Sequence, residues 1–379
     1  MRRKLGVNDL RHWIQLGLVA LTLLFTLPAQ AEGYDAHWYD AHWYQEVDKR
    51  SAWQSDLDAR MSALEERFAG DIGVYLQDLT SGEAYSWRAD DPWYLASLIK
   101  IPVAAEVLGE RIPISERLTL KQSDFVDGAG PTNWHDPGTP ISVGYLLEHM
   151  ITVSDNTATD MLIDRVGLDN VNQRAQAMVA ANGGDPAALG PISKLVGVRQ
   201  GVYGELHPEA RQLGGMDFIS LRQSPVSQRP RALAQRLGVA PQALNQPDYH
   251  HAFDAYHASG ENVGTLRAVG DVLATLYLGA MPDLQGTPRD EVLALMANTT
   301  SGEDRLKQGL GEGVSFAHKT GTQDRRSCDA GVVERDDMPN AAWAVVTCTQ
   351  GPDAVSEHER ALAGVGLALR RSGALGTPW

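Results

Sequence analysis

Apolar residues Trp53, Leu57, Met61, Leu64 and Phe68 recur at three- and four-residue intervals, which predicts an amphipathic helix over 53–68. The period then changes. Residues 71–79 read as a strand, Thr80-Ser81-Gly82 as a turn and 83–88 as a second strand. Helical patterns follow at 98–108, 143–151 and 157–166, whereas 181–260, rich in Gly, Pro and Gln, shows no clear period. A helical stretch at 266–278 precedes strands at 314–321, 330–334 and 342–348, and a helix at 356–371 closes the chain. Strands at both ends with helices between them predict an α+β (α/β sandwich) fold: an antiparallel sheet flanked by terminal helices, with an all-helical lobe inserted in the middle. The expected main domain covers 65–375, with an α/β lobe at 65–92 and 295–375 and a helical lobe at 93–294.

The N-terminus changes this picture. Met1-Arg2-Arg3-Lys4 is basic, 13–27 is largely apolar and Pro28-Ala29-Gln30-Ala31 is small, the order of a secretory signal cleaved after Ala31. The apolar run is about 15 residues, short of the ~20 a membrane span requires, so an exported, periplasmic or secreted protein without a stable anchor is expected. Within the segment 32–64, Tyr34-Asp35-Ala36-His37-Trp38 is repeated at once as Tyr39-Asp40-Ala41-His42-Trp43, either a duplication in a tail or an aromatic patch for a partner. The net charge of −15 becomes more negative once the leader is removed, because Arg2, Arg3, Lys4 and Arg11 leave against Asp9. Such a surface excludes nucleic acid and anionic lipid, both of which need basic patches, but permits a small-molecule substrate. A monomer is assumed.

The two cysteines, Cys328 and Cys348, lie ten residues to either side of Met338, in the turn-forming stretch Asp336-Asp337-Met338-Pro339-Asn340. A hairpin centred there sets them opposite each other, within reach of a disulfide that an oxidising compartment permits; two buried thiols are the alternative.

Three short motifs carry the chemistry: Ser97-Leu98-Ile99-Lys100, Ser154-Asp155-Asn156 and Lys319-Thr320-Gly321. The first places Ser97 at the start of a helix with Lys100 one turn on, on the same face. A serine hydroxyl needs a neighbouring base, and a lysine amine serves once burial and a nearby cation push it towards neutrality. Lys319 is the expected cation. Ser154 is placed to relay a proton to a leaving nitrogen and Asn156 to orient a substrate amide. Lys319 and Thr320 offer a charge and a hydroxyl to a substrate carboxylate, and Gly321 lets the backbone approach closely.

Together these motifs resemble those of the serine β-lactamase and penicillin-binding-protein superfamily, class A branch, over roughly residues 65–372. The likeness extends to Thr157-Ala158-Thr159 with Met161-Leu162-Ile163, and to Arg305-Leu306 and Gly309-Leu310 ahead of Ala317-His318 and Thr322. It implies a β-lactamase/transpeptidase-like fold, an acyl-enzyme on Ser97, an oxyanion hole from the amides of Ser97 and Thr322, and no metal or other cofactor. The substrate it implies is a β-lactam or an acyl-D-alanyl-type amide.

The sequence departs from the branch in two places. The Glu-x-x-Leu-Asn pattern that holds the deacylating water is absent; Glu205 in Tyr203-Gly204-Glu205-Leu206-His207-Pro208 is the leading substitute, ahead of Glu209 and Asp217. The long spacing from Ser154 to Lys319 implies an insertion near 200–260 at the pocket rim, whose His250, His251 and His257 lack a metal-binding spacing. A carboxylate-recognising arginine is expected at Arg325 or Arg326, with Asp329 placed to pair with one of them. The leading activity is β-lactam hydrolysis; a D-alanyl peptidase or esterase, or a penicillin sensor that is acylated without turnover, remains open.

Overall fold

The computed structural model describes residues 51–379. The expected leader and the tandem aromatic repeat lie outside the described residues. Five antiparallel strands form the central sheet, in the order Ala84–Trp87, Asp71–Asp78, Ala342–Gln350, Arg326–Arg335, Val314–Gln323. The first strand of the chain thus pairs with the last, and carries the second at the sheet edge, which joins the two ends of the sequence in one layer.

Both faces of the sheet are covered, so its strands are buried almost continuously instead of alternating. Ile72, Val74, Leu76, Val333, Trp343 and Val345 face the terminal helices Ala52–Glu65 and Val355–Ser372, which contribute Leu57, Met61, Val365 and Leu369. The lead-in helix therefore belongs to the same compact unit as the rest, residues 50–379, and not to a separate segment ending at 64. On the other face Tyr75, Ala330, Val332 and Val346 pack with Leu266, Val269 and Val272 of helix Leu266–Leu278 and with the fully buried helix Lys100–Gly109. That contact makes Leu266–Leu278 a layer on the sheet, although its place in the chain falls within the predicted helical lobe.

The expected hairpin register holds. Cys328 pairs with Cys348 across the ladder, with Cα atoms 4.1 Å apart, and the disulfide is formed.

The stretch without a clear period is helical. Helices Leu195–Leu206, Gly215–Arg222, Arg229–Leu237 and Tyr249–His257 bury Val198, Val202, Leu206, Phe218, Leu221, Leu233 and Phe253 in a third cluster. Tyr94 and Ala96, just ahead of Ser97, belong to this cluster, so the segment packs directly against the chain leading into Ser97. Among the described residues no helix is long and apolar enough to cross a membrane.

Candidate active site

Ser97 sits in a single tight turn, Ala96–Ile99, that runs into helix Lys100–Gly109. Ala96 has φ 50°, a left-handed conformation that a residue with a Cβ keeps only where its surroundings enforce it. The enforcing contact comes from the strand Val314–Gln323: a Cβ on Gly321 would lie 2.9 Å from the Leu95 carbonyl oxygen and 3.3 Å from the Ser97 nitrogen. Only glycine lets the strand press so closely on the turn. The next residue, Thr322, lines the same cleft as Ser97, which puts the two expected oxyanion donors on facing backbones.

Lys100 is fully buried beneath this turn. Its Nζ donates to the Ser154 carbonyl at 2.8 Å, to Ser154 Oγ at 3.1 Å and to Asn156 Oδ1 at 2.8 Å. Burial is the main force lowering its pKa from 10.5 to about 7; Asp155 and Asp160 oppose the shift and Arg199 adds to it. Arg199 thus acts as a cation on Lys100, and the expected cation, Lys319, interacts with the same amine. Lys319 is itself buried and lowered, first by desolvation and then by Lys100 and Arg305, and its Nζ donates to the Thr320 carbonyl at 2.9 Å.

The second motif is held by its own helix end. Asp155 caps Asn156–Val166, accepting from the Ala158 nitrogen at 2.9 Å, and also accepts from the Thr132 nitrogen at 2.8 Å. Ser154, just outside the helix, takes φ 63°, which aims its hydroxyl at Lys100. Asn156 Nδ2 donates to the Asp127 carbonyl at 2.7 Å. Gly128, at φ 150°, lies so close over Asn156 that a Cβ would come within 2.3 Å of Nδ2.

The cleft over these groups has a volume of about 790 Å³. Its floor is Ser97, Ser154, Asn156, Thr320 and Thr322. At one end Ser301 Oγ and Thr320 Oγ1 are 2.6 Å apart, and the buried Arg305 donates to the Gly321 and Cys328 carbonyls at 3.1 and 3.0 Å and to Thr322 Oγ1 at 2.7 Å. Arg305 lies in the stretch that resembles the family, but no role for it follows from the sequence; only the fold brings it to the third motif. Arg325, at the strand turn with φ 54°, also lines the cleft and pairs with Asp353 at 3.2 Å. Arg326 instead pairs with Asp254 at 2.7 Å and lies over the Phe253 ring. Asp329 pairs with neither arginine: it is fully buried against His318 Nδ1 at 2.8 Å, on the inner face of the sheet.

Glu205 is not brought to the cleft. It pairs with Arg211 at 2.7 Å and lines a separate depression with Lys194, Gln200 and Glu261. The cause is helical phase: on Leu195–Leu206, Arg199 and Tyr203 share the face that lines the cleft, and Glu205, two residues past Tyr203, points the opposite way. Glu209 is exposed and Asp217 pairs with Arg236, so neither lines the cleft either. What occupies the wall is the pair Arg199–Asp127, at 2.5 Å. Asp160 fixes that wall by accepting from the Leu195 and Val196 nitrogens at 2.7 and 2.9 Å.

The segment 200–260 does form the rim, through Tyr203, Arg222, Val226, Ser227, Arg229, Tyr249 and His250. Its histidines take separate partners: His250 is paired with Asp324, His251 with Asp248, and His257 meets the Tyr94 ring edge-on. No cluster of metal-ligating side chains occurs among the described residues.

Comparison with known proteins agrees with this geometry. The chain is 30% identical to β-lactamase ROB-1 of Haemophilus influenzae over 122 residues, which cover 31% of this chain and only 39% of that protein. The chain thus spans about two-fifths of the length of that relative. It is 26% identical to the β-lactamase of Streptomyces albus G over 322 residues, 80% of each chain. Among solved structures, a β-lactamase from Xanthomonas campestris superposes with a TM-score of 0.61 at 20% identity, covering 85% of this chain and 98% of that one. PBP-A superposes with a TM-score of 0.58 at 21% identity, covering 83% and 94%. These likenesses establish the fold. The model of the "Beta-lactamase enzyme family" matches residues 56–184 and 221–371, leaving out 185–220, which overlaps the predicted insertion only in part. That match takes in all three motifs and most of the sheet, and the chain belongs to the β-lactamase enzyme family.

Proposed function

We propose that this protein is an exported serine hydrolase that opens a β-lactam amide through an acyl-enzyme on Ser97. The observation that carries the reading is Lys100: a buried amine near neutrality at pH 7, held by Ser154 and Asn156 one helical turn from the nucleophile. In its neutral form Lys100 takes the Ser97 proton as Oγ attacks the carbonyl carbon. The developing oxyanion lies between the amides of Ser97 and Thr322. As the C–N bond breaks, Ser154, hydrogen-bonded to Lys100, passes a proton to the departing nitrogen. Asn156 orients the acyl-side amide, and Thr320, Lys319 and Arg305 receive the substrate carboxylate, with Arg325 at the edge. Water then hydrolyses the ester and regenerates Ser97. Export rests on the basic, apolar and small-residue order of residues 1–31.

One observation favours a second reading, in which the acyl-enzyme persists as in a penicillin-binding enzyme or sensor. Among the described residues lining the cleft the carboxylates are Asp127, Asp324 and Asp353, and each is engaged, with Arg199, His250 and Arg325 respectively. The step that needs a water-activating base is thus the less well equipped one. Mixing residues 32–379 with a chromogenic cephalosporin, while following product and intact mass, separates the readings. Turnover through an adduct that disappears in Ser97→Ala supports the hydrolase. One equivalent of product with a stable adduct supports the sensor, and absence of any adduct on Ser97 refutes both.

A further inference from the structure

The cleft carries more positive charge than its catalytic duties use. Its lining includes Arg199, Arg222, Arg229, Arg305 and Arg325 against Asp127, Asp324 and Asp353, in a chain of net charge −15. Most of these groups are accounted for. Arg199 holds Asp127, Arg325 holds Asp353, Asp324 is taken by His250, and Arg305 is spent on the strand carrying Thr322. Arg222 and Arg229 are left. The nearest carboxylate oxygen to Arg222, on Asp127, is 3.9 Å away, beyond hydrogen-bonding distance, and Asp127 is already neutralised by Arg199 at 2.5 Å. Arg229 forms no ion pair among the described residues; it donates to the Ser224 carbonyl at 3.3 Å and lies 5.1 Å over the Tyr249 ring.

Their placement is specific. Arg222 ends helix Gly215–Arg222 and Arg229 begins helix Arg229–Leu237, so one short turn sets both guanidinium groups on the rim. A cation at a helix start opposes the helix dipole, so Arg229 sits where the fold alone does not favour it. Arg222 connects to the residue expected to orient the acyl-side amide. Arg222 approaches Asp127, whose carbonyl holds the amide-orienting Asn156. Arg229 stacks on Tyr249, beside the His250 that binds Asp324 two residues beyond Thr322. The carboxylate anchor consists of Thr320, Ser301 and Arg305. Both guanidinium groups line the same cleft as Ser97, and neither takes part in that anchor.

We infer that Arg222 and Arg229 form a second carboxylate-binding subsite, and that the preferred substrate carries an anionic group on its acyl side chain as well as the carboxylate next to the scissile amide. This deepens the reading of Ser97 as an acyl-enzyme nucleophile and rests on it for the orientation of the substrate. Two guanidinium donors, one free of any ion pair among the described residues and the other facing only the already paired Asp127 at 3.9 Å, recognise a carboxylate in the forked geometry that arginine presents.

The test uses benzylpenicillin and its α-carboxylated counterpart carbenicillin, which differ by one acyl-side carboxylate. Calorimetric binding to the full chain carrying Ser97→Ala, which cannot acylate, isolates recognition from chemistry. The dicarboxylate should bind about tenfold more tightly or better, the gain typical of a hydrogen-bonded charge, and the advantage should shrink with added salt. Adding Arg222→Gln and Arg229→Gln should bring the ratio of the two affinities to about one, with an unchanged thermal midpoint confirming that the variant is folded. A ratio near one without the arginine substitutions, or a preference that survives both, overturns the subsite, as does failure of both compounds to bind. Intact mass of the Ser97 protein with benzylpenicillin is read in parallel. A missing adduct there defeats the acyl-enzyme reading, while the calorimetric ratio still decides the subsite.

Discussion

Lys100→Met separates what Lys100 does for chemistry from what it costs the fold. The side chain is fully buried, and its pKa falls from 10.5 to about 7 chiefly through desolvation. At 1.36 kcal/mol per pH unit, holding this amine in the interior costs about 5 kcal/mol at or below pH 7. Methionine matches the length of the side chain without that penalty. It leaves the Ser154 carbonyl and Asn156 Oδ1, now bonded at 2.8 Å each, without their donor, at about 1–3 kcal/mol apiece. The two effects oppose each other, about 5 kcal/mol against about 2–6, so the unfolding free energy at pH 7 should change by no more than about 3 kcal/mol. Acylation of Ser97 should fall by about 10²–10⁴, the usual contribution of a positioned general base. The assay pairs stopped-flow acylation by a chromogenic cephalosporin with urea unfolding of the same preparations. Acylation within tenfold of the parent would move the base elsewhere. A loss of stability near 5 kcal/mol would mean that the lysine supports the fold and that its burial penalty has been misjudged.

The same pKa gives a pH signature: acylation should rise about tenfold per pH unit below 7 and level off above, because the amine is the working form. Between about pH 7 and 10.5 the unfolded chain binds the Lys100 proton and the native one does not, so this group should make the fold more stable as pH rises through that window; a profile flat between pH 5 and 8 would refute both expectations. Gly321→Ala should slow acylation about 10- to 100-fold with a smaller effect on stability, since the added Cβ would meet the Leu95 carbonyl at 2.9 Å and push the strand off the Ser97 turn; unaltered single-turnover kinetics would show that the contact is not needed. Glu205→Gln should leave the lifetime of the acyl-enzyme unchanged, because its carboxylate pairs with Arg211 outside the cleft; a trapped adduct in mass spectra would restore it as the water-positioning group.

What could be read from the sequence follows the range over which each signal acts. Ser97 and Lys100 lie within one turn of helix, and Asp155 caps the helix that starts at Asn156, so short motifs sufficed to point to Ser97, Lys100, Ser154 and Asn156 as candidates that the fold brings together. The disulfide was legible because a symmetric turn at Met338 sets the register of a long hairpin by counting. Helices Leu168–Ala181 and Thr287–Ala297 went unread, and so did the four between 195 and 257, whose short apolar faces close on a third cluster of their own. That omission propagated to the site. With Leu195–Leu206 treated as loop, Glu205 could be brought anywhere. As a helix capped by Asp160, it must present residues about four apart to one side. The groups that tune Lys100 and fix the third motif meet across long stretches of chain, Arg199 with Asp127 over 72 residues and Arg305 with Thr322 over 17. No local pattern announces such pairs. Once the helix is recognised, its phase alone decides the matter: a face that offers Arg199 and Tyr203 to the cleft turns Glu205 away from it, and the wall there is taken up by the Arg199–Asp127 ion pair.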